Sequence, residues 1–444
     1  MTALPSEDSQ SRTLRSRRLS GDGRVLVATA HVTVGLAVAQ VVTGAGFVVL
    51  ARRLSLREFG LFSALYGASV AFGGLVDFGS SSRVTRDLAQ GVGIGSFHSW
   101  LWRRTTIQFI GVTAFSLAAL VLLSGKLPAA SIILLSLQAL ALTFAGGCLA
   151  AVRALVSVGR ATWFVVFGNV LFLVSVVASP ARVVLVFASA GATASWLVSA
   201  AFALRSIRNV MTPSTDSKQA NPWIGAWGFG VIGLAAAAQG LDVAILSAVA
   251  GSEEAGRYAA VSKWVQPIIL IAYAFGMQSF PALAKAGSHA AATAVIRAGR
   301  NALLAAVAVA VLLASLAPVL TTTLLGSRYQ SSIGLLRLLS IACIPVVLCQ
   351  PLIAFLQARG RERWAGGALA GASAAILLAI AILGKHIGAS AVAATRAVGF
   401  SMLLALLFRE VRRMGKGAVQ GSGQAKEVPL ELPFSGQHSS ADPI

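Results

Sequence analysis

Three ionisable side chains, Asp242, Lys263 and Arg396, stand deep inside long apolar runs of this 444-residue chain. Asp242 falls about eight residues, roughly 12 Å of helix, before the end of its run, and Lys263 about seven residues, roughly 10 Å, into the next. Their depths match, so two chemistries are open. They form a static ion pair that neutralises both charges, or a pair that opens, with Asp242 as a proton- or cation-coupled switch and Lys263 turned toward an anion. Gln239 and Gln266 lie three residues away on the same helical faces and extend a polar strip. Arg396, about nine residues from its helix end, is too deep to reach water easily. It contacts an anion or bonds to the carbonyls of a broken helix. Arg337, about one turn into its run, can snorkel to the surface.

Three further residues are gating candidates. Asp77 and Arg83 flank one helix end, where they would latch two loops, cap a helix or be solvated. His31 is a packed polar residue or a proton carrier. Catalytic constellations are missing: the chain has no phosphate-binding glycine loop, no nucleophile elbow and no His/Cys metal spacing. The expectation is therefore no enzyme, no cofactor and no metal. Cys148, Cys343 and Cys349 all fall within apolar runs and read as packed thiols.

The elements that must position these residues follow from composition. The chain is 56% hydrophobic and 11% charged, against roughly 25% charged in soluble domains. Its apolar runs have the length a helix needs to cross a hydrocarbon core of about 30 Å. The predicted spans are Val25–Ala51, Leu61–Phe78, Thr105–Leu123, Ala129–Val152, Ala161–Ala178 and Val183–Leu204, then Gly225–Ala250, Tyr258–Leu283, Ala302–Leu325, Ile333–Ala358, Gly366–Leu383 and Ile387–Phe408. The fold class is all-α membrane protein with about 12 transmembrane helices. Pro267, Pro281, Pro318, Pro345 and Pro351 fall within second-half spans and predict kinks.

The net charge of +21 is a question of sidedness rather than of nucleic acid. With the amino terminus inside, 25 of the 36 Lys and Arg fall in inner segments, 8 in outer loops and 3 within spans. This is the positive-inside pattern, and it puts both termini in the cytoplasm of a multi-pass cell-membrane protein. Trp100, Trp102, Trp163, Trp223, Trp227 and Trp364 lie near the same inner ends, the headgroup layer that indoles prefer. Residues 1–24 form a basic cytoplasmic lead before an uncleaved first span. Residues 409–444 read as a disordered cytoplasmic tail.

An internal repeat divides the chain. Glu58-Phe59-Gly60-Leu61-Phe62-Ser63-Ala64 and Glu254-Ala255-Gly256-Arg257-Tyr258-Ala259-Ala260 both fit E-x-G-x-[FY]-x-A at an offset of 196 residues, each in a short outer turn. Six spans separate the copies. Two pseudo-symmetric six-helix bundles, 25–204 and 225–408, joined by the cytoplasmic linker 205–224, should therefore share one orientation about an axis along the membrane normal.

The segment Ala51-Arg52-Arg53-Leu54-Ser55-Leu56-Arg57-Glu58-Phe59-Gly60-Leu61-Phe62, with Leu75-Val76-Asp77-Phe78-Gly79 and Arg83-Val84-Thr85-Arg86-Asp87-Leu88-Ala89, resembles the opening of bacterial polysaccharide biosynthesis/export proteins. These are the lipid-linked oligosaccharide flippases of the multidrug/oligosaccharidyl-lipid/polysaccharide exporter (MOP) superfamily. Leu241-Asp242-Val243-Ala244-Ile245-Leu246, Phe280-Pro281-Ala282-Leu283-Ala284, Leu325-Gly326-Ser327-Arg328-Tyr329 and Ala358-Arg359-Gly360-Arg361 are similar to the same family. The resemblance covers roughly residues 25 to 408. It departs in the first span, which carries His31 and Gln40 where related flippases often hold a deep basic residue.

The resemblance implies a MATE-like fold and an alternating-access flippase. Its cargo would be a polyprenyl-diphosphate-linked glycan, with membrane lipids around it and a polysaccharide polymerase and glycosyltransferases as candidate partners. Lys263, Arg396, Arg337, Gln239 and Gln266 would then be candidates for lining the cavity. Asp242, Asp77, Arg83 and His31 would be candidates for coupling or gating. A multidrug/cation antiporter of the same fold and a non-transporting scaffold for envelope synthesis are the alternatives.

Overall fold

In hydrocarbon every backbone N–H and C=O must find its partner within the protein, which leaves helices as the solution for long apolar runs. The computed structural model describes residues 32, 34–89, 97–208, 223, 226–285 and 288–421, with side chains at all of these except 267, 270–285, 288–299, 301–302, 358 and 415–421. All regular structure among them is helical. The helices are α1 (Val34–Arg53), α2 (Leu56–Asp77), α3 (Ser80–Ala89), α4 (Phe97–Leu123), α5 (Ala129–Leu155), α6 (Val158–Ala178), α7 (Val184–Ile207), α8 (Trp227–Ala238), α9 (Asp242–Ala250), α10 (Ser252–Lys285), α11 (Ser288–Pro318), α12 (Ile333–Ala358), α13 (Glu362–Ile387) and α14 (Ser390–Gly421).

Eleven stretches are long and apolar enough to cross a membrane. The 34-residue α10 stands where the sequence predicts an eighth span. The α1–α2, α9–α10 and α13–α14 connections share one end of the bundle, here the turn end. The breaks before α3, α8 and α13 share the other, the loop end.

Packing sorts the helices. In the first part of the chain α5 packs on α4, α6 and α7. In the second, α12 packs on α10, α11 and α14, and α13 on α8, α9 and α14. The helix that joins them is α2, which packs on α5 and also on α8, α9 and α10. Ser55 starts α2 with a capping box, its hydroxyl accepting from the Glu58 amide while the Glu58 carboxylate accepts from the Ser55 amide.

Glycines seven residues apart then bring backbones together along one face of α2. A β-carbon on Gly60 would lie 1.8 Å from the Ser252 oxygen, one on Gly67 2.5 Å from the Gly240 oxygen, and one on Gly74 2.3 Å from the Ala237 β-carbon. Small residues at such crossings replace the hydrophobic driving force that lipid removes.

Several boundaries differ from those predicted. The seventh span is broken by a 3-10 turn at Gln239–Leu241 into α8 and α9. The third begins at Phe97 rather than Thr105, which takes Arg103 and Arg104 into the helix. The last helix continues through the expected start of the tail to Gly421. α12 stays helical across Pro345 and Pro351, whereas Pro318 ends α11 and a seven-residue π-helix, Val319–Leu325, follows. Residues 1–24, most of the linker and the chain beyond Gly421 lie outside the described residues.

Candidate functional site

The break in the seventh span puts Asp242 in the first turn of α9 at mid-helix depth. Its side chain is 6% exposed and pairs with Arg396 of α14 at 2.7 Å. The other contacts close the carboxylate. Tyr258 of α10 donates its hydroxyl to the same Asp242 oxygen as Arg396, and the Val243 amide donates to the second oxygen at 2.7 Å. Arg396 also reaches the Gln239 carbonyl at 3.4 Å, at the 3-10 turn. Gln239, Asp242, Ser373, Leu377, Arg396 and Phe400 line a small pocket between α9, α13 and α14, inside the second group of helices. Arg396, Tyr258 and the Val243 amide thus engage both carboxylate oxygens of Asp242.

Lys263 does not pair with Asp242. It leaves α10 toward the first group of helices, with Nζ 4.4 Å from the ring centroid of Phe47 in α1 and 5.7 Å from that of Tyr66 in α2. The two rings pack edge to face, 5.2 Å apart, so an ammonium sits on two negative π faces. Among the described residues no carboxylate lies within 4.0 Å of it. Matching depth is one coordinate only. Helix rotation sends Asp242 toward α14 and Lys263 toward α1. Gln239 and Gln266 are both half-buried.

The remaining candidates separate. Arg337 is exposed on α12, and its Nε donates to the Ala314 carbonyl of α11 at 3.2 Å. Ala314 is the residue whose helical acceptor would be served by the N–H at position 318, which proline lacks. Arg337 therefore supplies the donor that α11 lacks at this carbonyl. Asp77 and Arg83 each engage other residues. Asp77 accepts from Ser80, Ser81 and Arg104, and Arg83 pairs with Asp87 at 3.0 Å. His31 lies outside the described residues.

Arg104 is the ionisable residue the sequence hides. Counted as a loop cation, it is 0% exposed at the start of α4, beside Trp100 and against Gly147, where a β-carbon would come 2.4 Å from Nη1.

The two groups of helices also meet at both ends. At the loop end Phe78, at a left-handed φ of 40°, lays its ring 5.4 Å from Trp227 and over Gly230. At the turn end the contact is polar. Arg52 donates to the Leu324 carbonyl at 2.6 Å and to the Thr323 carbonyl. Arg328 donates to the Leu54 carbonyl at 2.7 Å and the Arg52 carbonyl at 3.0 Å, and the Tyr329 hydroxyl reaches the Ala51 carbonyl at 3.3 Å. Ala51-Arg52-Arg53-Leu54 and Leu325-Gly326-Ser327-Arg328-Tyr329, two of the segments that carry the sequence resemblance, thus meet here.

No protein-family model matches the chain, and no curated protein matches it. Solved structures do. An inward-facing multidrug resistance MATE family transporter of the MOP superfamily is 16% identical with a TM-score of 0.68, covering 89% of this chain and 100% of that one. An outward-facing structure of such a transporter is 17% identical with a TM-score of 0.66, covering 90% and 96%. A MATE crystallised with MaL6 is 16% identical with a TM-score of 0.65, covering 88% and 96%. The chain therefore has the all-helical fold of the MATE transporters over nearly its whole membrane domain.

Proposed function

We propose that this protein is an alternating-access flippase that passes a polyprenyl-diphosphate-linked oligosaccharide from one leaflet of the cell membrane to the other. The observation that carries this reading is Lys263. A cation at mid-membrane depth costs roughly 2.5–3.5 kcal/mol on insertion scales and marks function by default. Asp242, the sole acidic residue deep within a predicted span, is already held by Arg396 and Tyr258. The interior thus carries an excess positive charge where the two groups of helices face each other, which suits a diphosphate headgroup whose prenyl tail stays in lipid.

The test is leaflet-resolved flipping of such a lipid by purified protein in liposomes. Flipping above the rate of empty liposomes supports the reading; folded protein with no excess over empty liposomes overturns it.

A multidrug/cation antiporter is the second reading, favoured by the multidrug MATE structures that share the fold. Drug resistance on expression that is lost in D242N would put it first. A scaffold without transport would keep its function after Lys263, Asp242 and Arg396 are neutralised together.

A further inference from the structure

Helix ends present carbonyls without intrahelical partners, and arginine is well suited to fill them because its planar fork serves two acceptors at once. Three arginines do this at the turn end. Arg53 donates to the Val176, Val177 and Ser179 carbonyls at the end of α6, within its own group of helices. Its neighbour Arg52 turns the other way and serves Thr323 and Leu324, at the end of the π-helix in the second group. Arg328, four residues beyond Leu324, returns the contact by serving Leu54 and Arg52 itself.

The last two contacts are mutual in a way that Arg53 is not. The Arg52 carbonyl is a partner of Arg328, so Arg328 fixes the backbone from which the Arg52 side chain extends. Leu324 is a partner of Arg52, and it precedes the turn at Gly326, φ 104°, that aims Arg328. Each guanidinium positions the backbone that carries the other.

We propose that Arg52 and Arg328 form a reciprocal latch between the two groups of helices at the turn end. The two arginines release together when that end opens, whereas Arg53 holds its own group intact throughout. Both latch side chains are solvent-accessible at the bundle end, so water can take over the freed carbonyls when they part, which makes the contact releasable. Gly60 against Gly256, where backbone meets backbone beside the latch, gives it a fixed pivot. The proposal rests on the alternating-access part of the reading above and not on the cargo.

The experiment needs no substrate. Spin labels on K126C and K385C, exposed positions at the turn end of each group, report the separation by pulsed dipolar spectroscopy in lipid nanodiscs. The native cysteines Cys148, Cys343 and Cys349 are buried. R52Q and R328Q should each raise the long-distance population at least threefold. The double variant R52Q/R328Q should raise it no further than either single one. R53Q should lower thermal stability and leave the distances unchanged.

Folded R52Q and R328Q with the wild-type distribution would overturn the latch. A double variant whose effect is the product of the singles would overturn its reciprocity. If R52Q yields no folded protein, R52K, which keeps the charge and loses the fork, is read the same way. Absence of flipping with an intact latch would count against the cargo alone.

Discussion

Gly60 of α2 and Gly256 of α10 touch through their backbones: a β-carbon on Gly60 would stand 2.9 Å from the Gly256 nitrogen, and one on Gly256 3.3 Å from the Gly60 nitrogen and 2.3 Å from the Leu56 oxygen. They are the shared glycines of the two E-x-G-x-[FY]-x-A copies, so the repeat meets itself where the groups of helices cross. The neighbouring atoms are backbone and cannot swing aside. G60A and G256A should each cost about 1–3 kcal/mol through overpacking, read as a lower thermal midpoint in detergent. Gly44, in the middle of α1 with nothing within 4 Å of its β position, is the control. G44A should leave the midpoint unchanged or raise it, by up to about 1 kcal/mol of helix propensity. A G60A midpoint equal to wild type would show that the two backbones are not held together.

The Asp242–Arg396 pair predicts an asymmetry between single and double substitutions. Removing one partner leaves an uncompensated charge in a low-dielectric site, at a cost of about 3–5 kcal/mol, whereas replacing both with apolar side chains is often close to neutral. D242L and R396L should each unfold at clearly lower temperature, and D242L/R396L should recover most of the loss. Y258F, which removes one hydroxyl donor, should cost about 1 kcal/mol. Equal stability of all four variants would mean that the pair carries no structural load.

Lys263 predicts the opposite pattern. The cost of its charge and the return from two aromatic faces, about 2 kcal/mol when desolvated, nearly cancel. K263M should therefore shift stability by about 1 kcal/mol or less. In the flippase reading its transport should fall at least tenfold. Wild-type flipping by K263M in liposomes would remove Lys263 from the cargo path. A collapse in stability would instead make it a structural residue.

Arg337 and Pro318 form a compensating pair across two helices. R337L leaves the Ala314 carbonyl without a donor and should cost about 1–2 kcal/mol. P318A restores the missing N–H, so R337L should cost little in that background. A double-mutant cycle of thermal midpoints measures the coupling. Additive effects would indicate that Arg337 does not stand in for the absent amide.

Span lengths made the helical membrane fold legible in the sequence, because the thickness of the bilayer forces them. The site was legible only in depth. Position along a helix follows from counting residues, but the direction a side chain takes depends on which helices surround it. For this reason Asp242 and Lys263, matched in depth, find different partners. The break at Gln239–Leu241 has no proline to announce it; Gly240 is its only mark, among many glycines. Arg104 escaped because its helix starts eight residues before the apolar run does. Tyr258 was visible as the aromatic of the repeat, but its hydroxyl matters only because an aspartate stands across from it in the second copy; at the equivalent place in the first copy Phe62 packs among Phe47 and Tyr66 instead.

The interrupted seventh span has a mechanical consequence. α8, 12 residues long, and α9, 9 residues long, are rods of roughly 18 and 14 Å, each about half a bilayer. Their joint lies at the level of Asp242. Arg396 spans that joint, donating to the Gln239 carbonyl at the turn and to the Asp242 carboxylate at the start of α9, so it acts as a splint across the interruption.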